Sequence, residues 1–290
     1  GFAGNVGQVM GFLDRTFYVH ENRNRHGLAE VVNTALSFLE KAEMVVRLGE
    51  DLSATELGTL VSRLYLDPRS ADAIASCLAG VEKFSPMGLL HLLCSTPDMP
   101  TLYLKQADLP LLERYLYEHE DAIWSTLPSF GDEECETFLR ALKTALVLSD
   151  WIDEVGEAMI CERFGINPGD IYSFVESVQW LVHAAGRLSA RFAPHLSGPV
   201  RDLEVRVRSG VKAELLPLVA LRGIGRVRAR RLFNSGIMGP DGLRAAGVDH
   251  VASIIGRGIA EQVFAQLGRA SPEPAGNGQV HLGHFGNGAS

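Results

Sequence analysis

The sequence has few cysteines and no long apolar run, and each shortage excludes a class of protein. Its four cysteines are scattered and form no CxxC pair, so neither a structural zinc site nor a disulfide framework is expected. No uninterrupted apolar run reaches the roughly 18 residues that a membrane-spanning helix needs. The first residues also lack the basic start and the apolar stretch of a signal peptide. We therefore expect buried free thiols, no metal site and no membrane partner.

Strand signals are scarce as well, and helical periodicity dominates the chain. Its 290 residues, 46% of them hydrophobic, suffice for two or three globular domains. Residues 6–17 and 28–43 predict helices, and residues 44–48 and 52–55 predict two short strands. A helix pair followed by a small hairpin is typical of a winged helix. Helices separated by proline-containing breaks follow from residue 70 to residue 192, so the predicted fold class is mainly α.

Positive charge is also in short supply, but it is concentrated in one region. The chain has a net charge of −8, which would disfavour nucleic acid if the charge were evenly spread. Residues 187–231 hold ten arginines and one lysine against three acidic residues, a net charge of +8, so the other residues carry −16. A localised basic region on an acidic protein is typical of a phosphate-binding surface.

A glycine-containing turn lies inside this basic region. Residues 218–232 predict a helix, a Gly-Ile-Gly turn and a second helix that packs through Ala229 and Leu232, and residues 255–260 repeat the pattern more loosely. The glycines let the backbone approach a partner closely, which leaves N–H groups and a positive helix end available to a phosphate. A tight αα-hairpin used only for packing is the alternative, although packing requires no arginines. The predicted DNA-binding residues of this turn are Arg222, Gly223, Gly225, Arg226, Arg228, Arg230 and Arg231.

A second candidate site is the helix predicted from Pro168 to Phe192, with Asp170 as its cap. Its apolar residues fall on one stripe at steps of about 100°, and Trp180 falls on the opposite, outer face with Arg187 and Arg191. Such a row suits unpaired nucleic acid, because bases stack on the ring while arginines contact phosphates. Packing of the tryptophan against a neighbouring domain is the alternative.

Five segments in this order resemble one protein family: residues 54–71, 89–99, 150–154, 168–171 and 223–232. The resemblance covers about residues 5–268 and is to the C-terminal region of the Hjm/HELQ-type archaeal DNA repair helicases of superfamily two. It implies a partial winged helix, a helical-bundle ratchet domain and a small helix-hairpin-helix domain. The corresponding ranges are 1–69 for the N-terminally truncated winged helix, 70–197 for the ratchet domain, 198–268 for the helix-hairpin-helix domain and 269–290 for a disordered tail.

The resemblance implies part of an ATP-dependent 3′-to-5′ helicase that acts in replication-fork repair. Trp180 matches the family's base-stacking residue on the ratchet helix. The family often has a cation where this sequence has Ser173, so Arg187 is the other candidate for that charge. We expect a monomer, cytoplasmic and associated with the nucleoid, whose partners are single-stranded or forked DNA and the helicase motor domains.

The motor motifs of such a helicase are missing from this sequence. It contains no GxxxxGK[ST] phosphate loop and no DExH box, the groups that hold ATP and Mg²⁺ in these enzymes. We therefore expect the chain to be inactive alone and to bind no cofactor. ATP and magnesium would belong to the motor domains of the parent protein.

Two other functions remain open from the sequence. Residues 247–251 resemble the segment of helix-hairpin-helix DNA glycosylases that carries a catalytic aspartate, which would be Asp249, but no candidate base pocket accompanies it. A winged-helix transcriptional regulator would instead require preference for a duplex sequence and usually a dimer. Assays for base release and for preference among DNA structures separate these functions.

The C-terminal tail contains a spacing used by sliding-clamp ligands. Gln279, Leu282 and Phe285 fit the Q-x-x-hydrophobic-x-x-aromatic pattern, in which a short turn places the apolar side chains together in a pocket. Clamp peptides usually carry two adjacent aromatics, whereas Gly286 follows the aromatic here. The tail predicts a sliding clamp as a candidate partner, and the alternative is an unstructured end without a partner.

Overall fold

The computed structural model describes residues 4–13, 25–129 and 133–268. It begins with α1 (Val6–Leu13), α2 (Arg25–Lys41), β1 (Val45–Leu48) and β2 (Asp51–Ala54). The two strands pair antiparallel, with Val45 opposite Ala54 and Leu48 opposite Asp51. The predicted hairpin is therefore confirmed, and the helix predicted over residues 6–17 is described as far as Leu13.

Three helices follow the hairpin: α3 (Glu56–Leu64), α4 (Pro68–Gly80) and α5 (Pro86–Cys94). Each begins after a residue whose side chain accepts a hydrogen bond from a backbone N–H of the first turn. The capping residues are Thr55, Asp67 and Ser85. A proline at the start of α4 and of α5 fits these positions, because the N–H that it lacks would have no partner within the helix.

The remaining helices of this part are α6 (Leu109–Glu118), α7 (Glu133–Ile152), α8 (Glu157–Phe164), α9 (Pro168–Phe192) and α10 (Ser197–Ser209). Helix α5 packs on α7, while α9 packs against α4 and α10. The apolar stripe predicted for α9 is confirmed, since each of its members is buried. They are Ile171, Phe174, Val175, Val178, Leu181, Val182, Ala185 and Leu188.

Lys143 and His91 are among the polar side chains buried within this helical core. Lys143, 2% exposed, donates through Nζ to Oδ2 of Asp108 at 2.7 Å and so keeps its charge paired. His91, 1% exposed, lies with Nε2 at 3.3 Å from the Phe138 carbonyl and Nδ1 at 3.2 Å from the Ser125 hydroxyl. Burial away from water lowers the pKa of His91 to about 4, so the imidazole is neutral at physiological pH.

The chain forms two compact units that divide after Val211, whereas the sequence predicted a boundary between residues 197 and 198. The two boundaries differ because helix α10 belongs to the first unit. Its apolar residues Val200, Leu203 and Val207 are buried in the core of the first unit. Most of α10 lies in the range predicted for the helix-hairpin-helix domain, 198–268, but its spaced apolar residues pack with the helices before it.

The second unit contains five helices within the described residues: α11 (Leu216–Val219), α12 (Arg226–Asn234), α13 (Pro240–Ala246), α14 (Val248–Ile255) and α15 (Arg257–Gly268). Ala229 and Leu232 are fully buried, as predicted for the packing face of α12. The mainly α fold class is confirmed, because the hairpin β1–β2 is the one sheet among the described residues.

The described residues offer no apolar span and no metal cluster. None of their helices is long and apolar enough to cross a membrane, and no group of three or more His, Cys, Asp or Glu side chains among them is placed to hold a metal ion. The four cysteines are free. Cys94 and Cys135 are buried, while Cys77 and Cys161 are only partly so.

Candidate nucleic-acid interface

Helix α9 begins with a capping box rather than with the predicted cap at Asp170. Asn167 is the N-cap, and Pro168 occupies the first helical turn. The carboxylate of Asp170 reaches back and accepts the backbone N–H of Asn167 at 2.8 Å. This reciprocal bonding fixes the start of the 25-residue helix that carries Trp180.

The structure corrects the predicted exposure of Trp180. The indole is half-buried, packs against the core of the first unit, and donates from Nε1 to the Leu64 carbonyl at 3.0 Å. Leu64 is the last residue of α3, so its carbonyl is one that the helix cannot pair internally. Part of the indole ring is therefore used for packing. The role of Trp180 as a base-stacking residue stays a prediction.

Arg187 and Arg191 share the outer side of α9 but differ in their partners. Arg191 lies 3.3 Å from a carboxylate oxygen of Glu56, and its guanidinium is 5.8 Å from the centre of the Phe192 ring. Arg187 is exposed, and no carboxylate in the described ranges forms an ion pair with it. Of the two arginines predicted to lie beside Trp180, Arg187 is therefore the one whose charge is not paired within the described residues.

In the second unit, the turn Gly223-Ile224-Gly225 connects α11 to α12. Gly223 has a φ of 92°, which side-chain-bearing residues rarely adopt, and Ile224 is 4% exposed and holds the turn to the apolar interior. Gly225 is the N-cap of α12, and a Cβ at this position would meet no atom within 4 Å. In the described part of the chain no side chain caps α12, so its positive end faces open space.

Three of the predicted arginines around this turn are exposed: Arg222, Arg228 and Arg231. The guanidinium of Arg228 donates from Nη1 to the Gly223 carbonyl at 3.1 Å, which holds this cation beside the turn. An arginine fixed next to backbone N–H groups at a helix start suits a phosphate, because it adds full charge to a partial one. The turn and these side chains form what we call the glycine-turn surface, residues 222–231.

The other two predicted arginines are less available. Arg230 is half-buried, lies 2.8 Å from a carboxylate oxygen of Glu214, and covers the Phe233 ring at 5.1 Å. Arg226 is also half-buried. Charge that is already paired gains less from a phosphate, so Arg230 adds less free charge to the surface than the exposed arginines do.

A side chain that sequence reasoning missed holds the glycine turn in place. The Gln266 amide accepts the backbone N–H of Arg222 at 2.9 Å and donates to the carbonyl of the same residue at 3.0 Å. Both backbone groups just before Gly223 are thereby satisfied. The two residues are 44 positions apart, and a glutamine on a helix carries no sequence signal for such a contact.

The looser second turn is also present, between α14 and α15 at Gly256, which has a φ of 91°. The arginine next to this turn, Arg257, forms ion pairs with Asp249 at 2.8 Å and with Glu261 at 3.6 Å. Asp249, the candidate catalytic residue of the glycosylase alternative, has a side chain that is 82% exposed. An exposed, ion-paired carboxylate does not line a pocket for an extruded base.

The predicted clamp-binding residues Gln279, Leu282 and Phe285 lie outside the described residues. Their role stays a prediction from the sequence.

Comparison with known proteins identifies what this chain is similar to. Residues 87–210 match the family model described as archaeal helicase, domain 4. An ATP-dependent DNA helicase Hel308 from Methanocella arvoryzae is 41% identical over 266 residues, 89% of this chain and 36% of the relative. The Hel308 of Pyrococcus horikoshii is 35% identical over 268 residues, 90% of this chain and 37% of the relative.

About nine tenths of this chain is thus similar to the C-terminal region of archaeal Hel308-type helicases. It spans little more than a third of the two Hel308 relatives, 36% and 37% of their lengths. A third Hel308, from Thermococcus kodakarensis, is 36% identical over 270 residues, 90% of this chain and 24% of the relative. The domain 4 match ends at residue 210, next to the end of the first unit at Val211. The agreement supports placing α10 with the helices of the first unit.

Proposed function

We propose that this chain is the DNA-gripping, non-motor part of an ATP-dependent 3′-to-5′ DNA helicase of replication-fork repair. The relatives carry the name ATP-dependent DNA helicase, and the chain spans about a third of the first of them. In this proposal the ATP and magnesium sites belong to motor domains outside the chain. The chain itself binds the single strand that the motor moves.

One observation carries the proposal, the glycine-turn surface. It combines an open helix start at Gly225 with the exposed cations Arg222, Arg228 and Arg231. A nucleic-acid backbone presents regularly spaced anions, and such a surface binds them without reading sequence. In helicase terms it is a helix-hairpin-helix element that holds the strand by its phosphates.

Helix α9 supplies the second part of the proposed grip, as the ratchet helix. Arg187 offers an exposed cation on a long, well-anchored helix. Trp180 keeps part of its ring accessible while its N–H is fixed on Leu64. A ring held in place by a hydrogen bond is a rigid surface for a base, because less side-chain entropy is lost on stacking.

The experiment is a fluorescence anisotropy titration of labelled single-stranded, forked and blunt duplex DNA at several salt concentrations. We expect tighter binding to single-stranded and forked DNA, and a linear fall of log affinity with log salt. Replacing Arg222, Arg228 and Arg231 together with alanine should reduce that slope by about 2, at roughly 0.7 per lost phosphate contact.

The matched control is Arg244→Ala, because Arg244 is an exposed arginine of the same unit already paired with Asp241 at 2.8 Å. It should leave the slope unchanged. An unchanged slope in the triple variant would place the DNA site elsewhere. Preference for duplex DNA would favour the transcriptional regulator, and base release would favour the glycosylase.

A further inference from the structure

Tyr65 is an exposed aromatic residue directly beside the anchor of Trp180. Its side chain is 79% exposed. Within the described ranges its ring contacts no other ring and no cation, and its hydroxyl forms no hydrogen bond. The carbonyl that accepts the Trp180 N–H belongs to Leu64, the residue bonded to Tyr65. An accessible tyrosine ring therefore follows immediately after the peptide group that holds the half-buried indole.

The backbone at Tyr65 has a conformation that disfavours tyrosine. It lies in the left-handed region, with φ 56° and ψ 27°, as the residue that ends α3. Its N–H bonds the Ser62 carbonyl and the next N–H, of Leu66, bonds the Val61 carbonyl, each at 3.2 Å. This is the Schellman ending, in which glycine is the favoured residue because a Cβ is strained there.

Packing does not explain why an aromatic residue occupies this position. Two other side-chain-bearing residues have left-handed φ values in the described part of the chain, Glu43 and Glu154, and both are polar. The apolar contact of the Schellman ending is made by the next residue, Leu66, which is 4% exposed. Tyr65 thus combines a strained backbone with a solvated ring that has no partner among the described residues, as expected of a side chain kept for a ligand.

The charges close to Tyr65 in the chain suit a nucleic-acid strand. Arg63 and Arg69 are exposed, and neither forms an ion pair with a described residue. Two nearby carboxylates are hydrogen-bonded to backbone N–H groups: Asp67 accepts the N–H of Arg69 at 2.7 Å, and Asp98 accepts the N–H of Asp67 at 2.9 Å. An aromatic ring flanked by available guanidinium groups is the combination that binds unpaired bases and their phosphates.

We propose that Tyr65 stacks on a base of the bound single strand, next to Trp180, at the junction of α3 and α9. The inference rests on the proposed function and adds a second base-contacting ring, supplied by a different element. The structure favours Tyr65 over Trp180 as the more accessible of the two rings. Its rigid left-handed backbone sets the direction of the ring before DNA arrives.

The decisive variant is Tyr65→Gly, because glycine relieves the strain while removing the ring. We expect its Tm to stay unchanged or rise by about 2–4 °C. Its affinity for fluorescein-labelled oligothymidylate should fall by roughly 5- to 100-fold. Tyr65→Phe, which keeps the ring, should bind like the wild type, and so should Tyr117→Ala, which removes a 90% exposed tyrosine from α6.

Photocrosslinking supplies a positive signal that does not depend on stability. Oligothymidylate carrying 5-iodouracil should form an adduct with Tyr65, mapped by mass spectrometry of the digested full chain. Wild-type affinity of Tyr65→Gly, or adducts that map only to other residues, would overturn the inference while leaving the proposed function intact. If the wild-type chain binds no single strand at all, the proposed function fails and the inference fails with it.

Discussion

Two glycines of the first unit differ from two glycines of the second unit in what lies beside them. In the first unit a Cβ at Gly88 would meet the Trp124 ring at 2.6 Å, and one at Gly210 would meet the Trp151 ring at 2.7 Å. In the second unit a Cβ at Gly225 or Gly256 would meet no atom within 4 Å. Glycine at positions 88 and 210 thus lets rings pack, whereas at positions 225 and 256 it leaves the backbone open to a partner.

Two arginines of the first unit differ from two arginines of the second unit in the same sense. On the first unit Arg191 is paired with Glu56, and Arg206 is half-buried with Asp153 at 3.1 Å. Around the glycine turn of the second unit, Arg222 and Arg231 are exposed and form no ion pair with a described residue. Residue type alone does not indicate a binding site. What separates packing from recognition is whether the backbone and the charge are already satisfied within the protein.

The largest expected effect is the loss of stability on replacing Gly210 with alanine. Its φ of 61° is left-handed, and the added Cβ would collide with the buried Trp151 ring. Strain and overpacking together should lower the free energy of unfolding by about 4 kcal/mol, measured by urea denaturation. Gly186→Ala on α9 is the control, because its Cβ would make an ordinary 3.7 Å contact with Val200. Equal stability of the two variants would contradict the packing role of Gly210.

Acid should destabilise the first unit through His91. Its folded pKa is about 4, below the ordinary 6.5, so the unfolded chain binds the proton more tightly. The stability is fully present above pH 6.5 and is lost as the pH falls towards 4, by about 3 kcal/mol in total. Unfolding free energies measured across this range should show the loss, and His91→Gln should reduce the slope. A slope unchanged in His91→Gln would assign the pH dependence to other groups.

Trp180→Ala should lower stability by about 2 kcal/mol, because a half-buried ring is lost and the Leu64 carbonyl loses its donor. Trp180→Phe retains most of the packing and should cost about 1 kcal/mol. Both values come from denaturant titrations in the absence of DNA. If Trp180→Ala unfolds like the wild type, the ring contributes little to packing and is available to a ligand.

Periodicity predicted which residues of a single helix are buried, but it did not predict contacts with elements that are far away in the chain. The buried stripe of α9 could be predicted, since 100° steps depend on a single helix. The half-burial of Trp180 could not, because its partner Leu64 lies 116 residues earlier in the chain. The packing of α10 was not predicted, because it depends on contacts of this helix with α7 and α9. The glycine turn was predicted well, since its glycines and arginines are adjacent in sequence.

The central claim is that the open backbone at Gly225 receives a DNA phosphate, and Gly225→Ala tests it most directly. Its φ of −92° suits alanine and its Cβ meets nothing, so stability should change by less than about 0.5 kcal/mol. The methyl group would obstruct the phosphate, and affinity for single-stranded DNA should fall about tenfold through loss of a charge-assisted hydrogen bond. Gly268→Ala, which also meets open space, should bind like the wild type. Wild-type affinity of a folded Gly225→Ala protein would contradict the account.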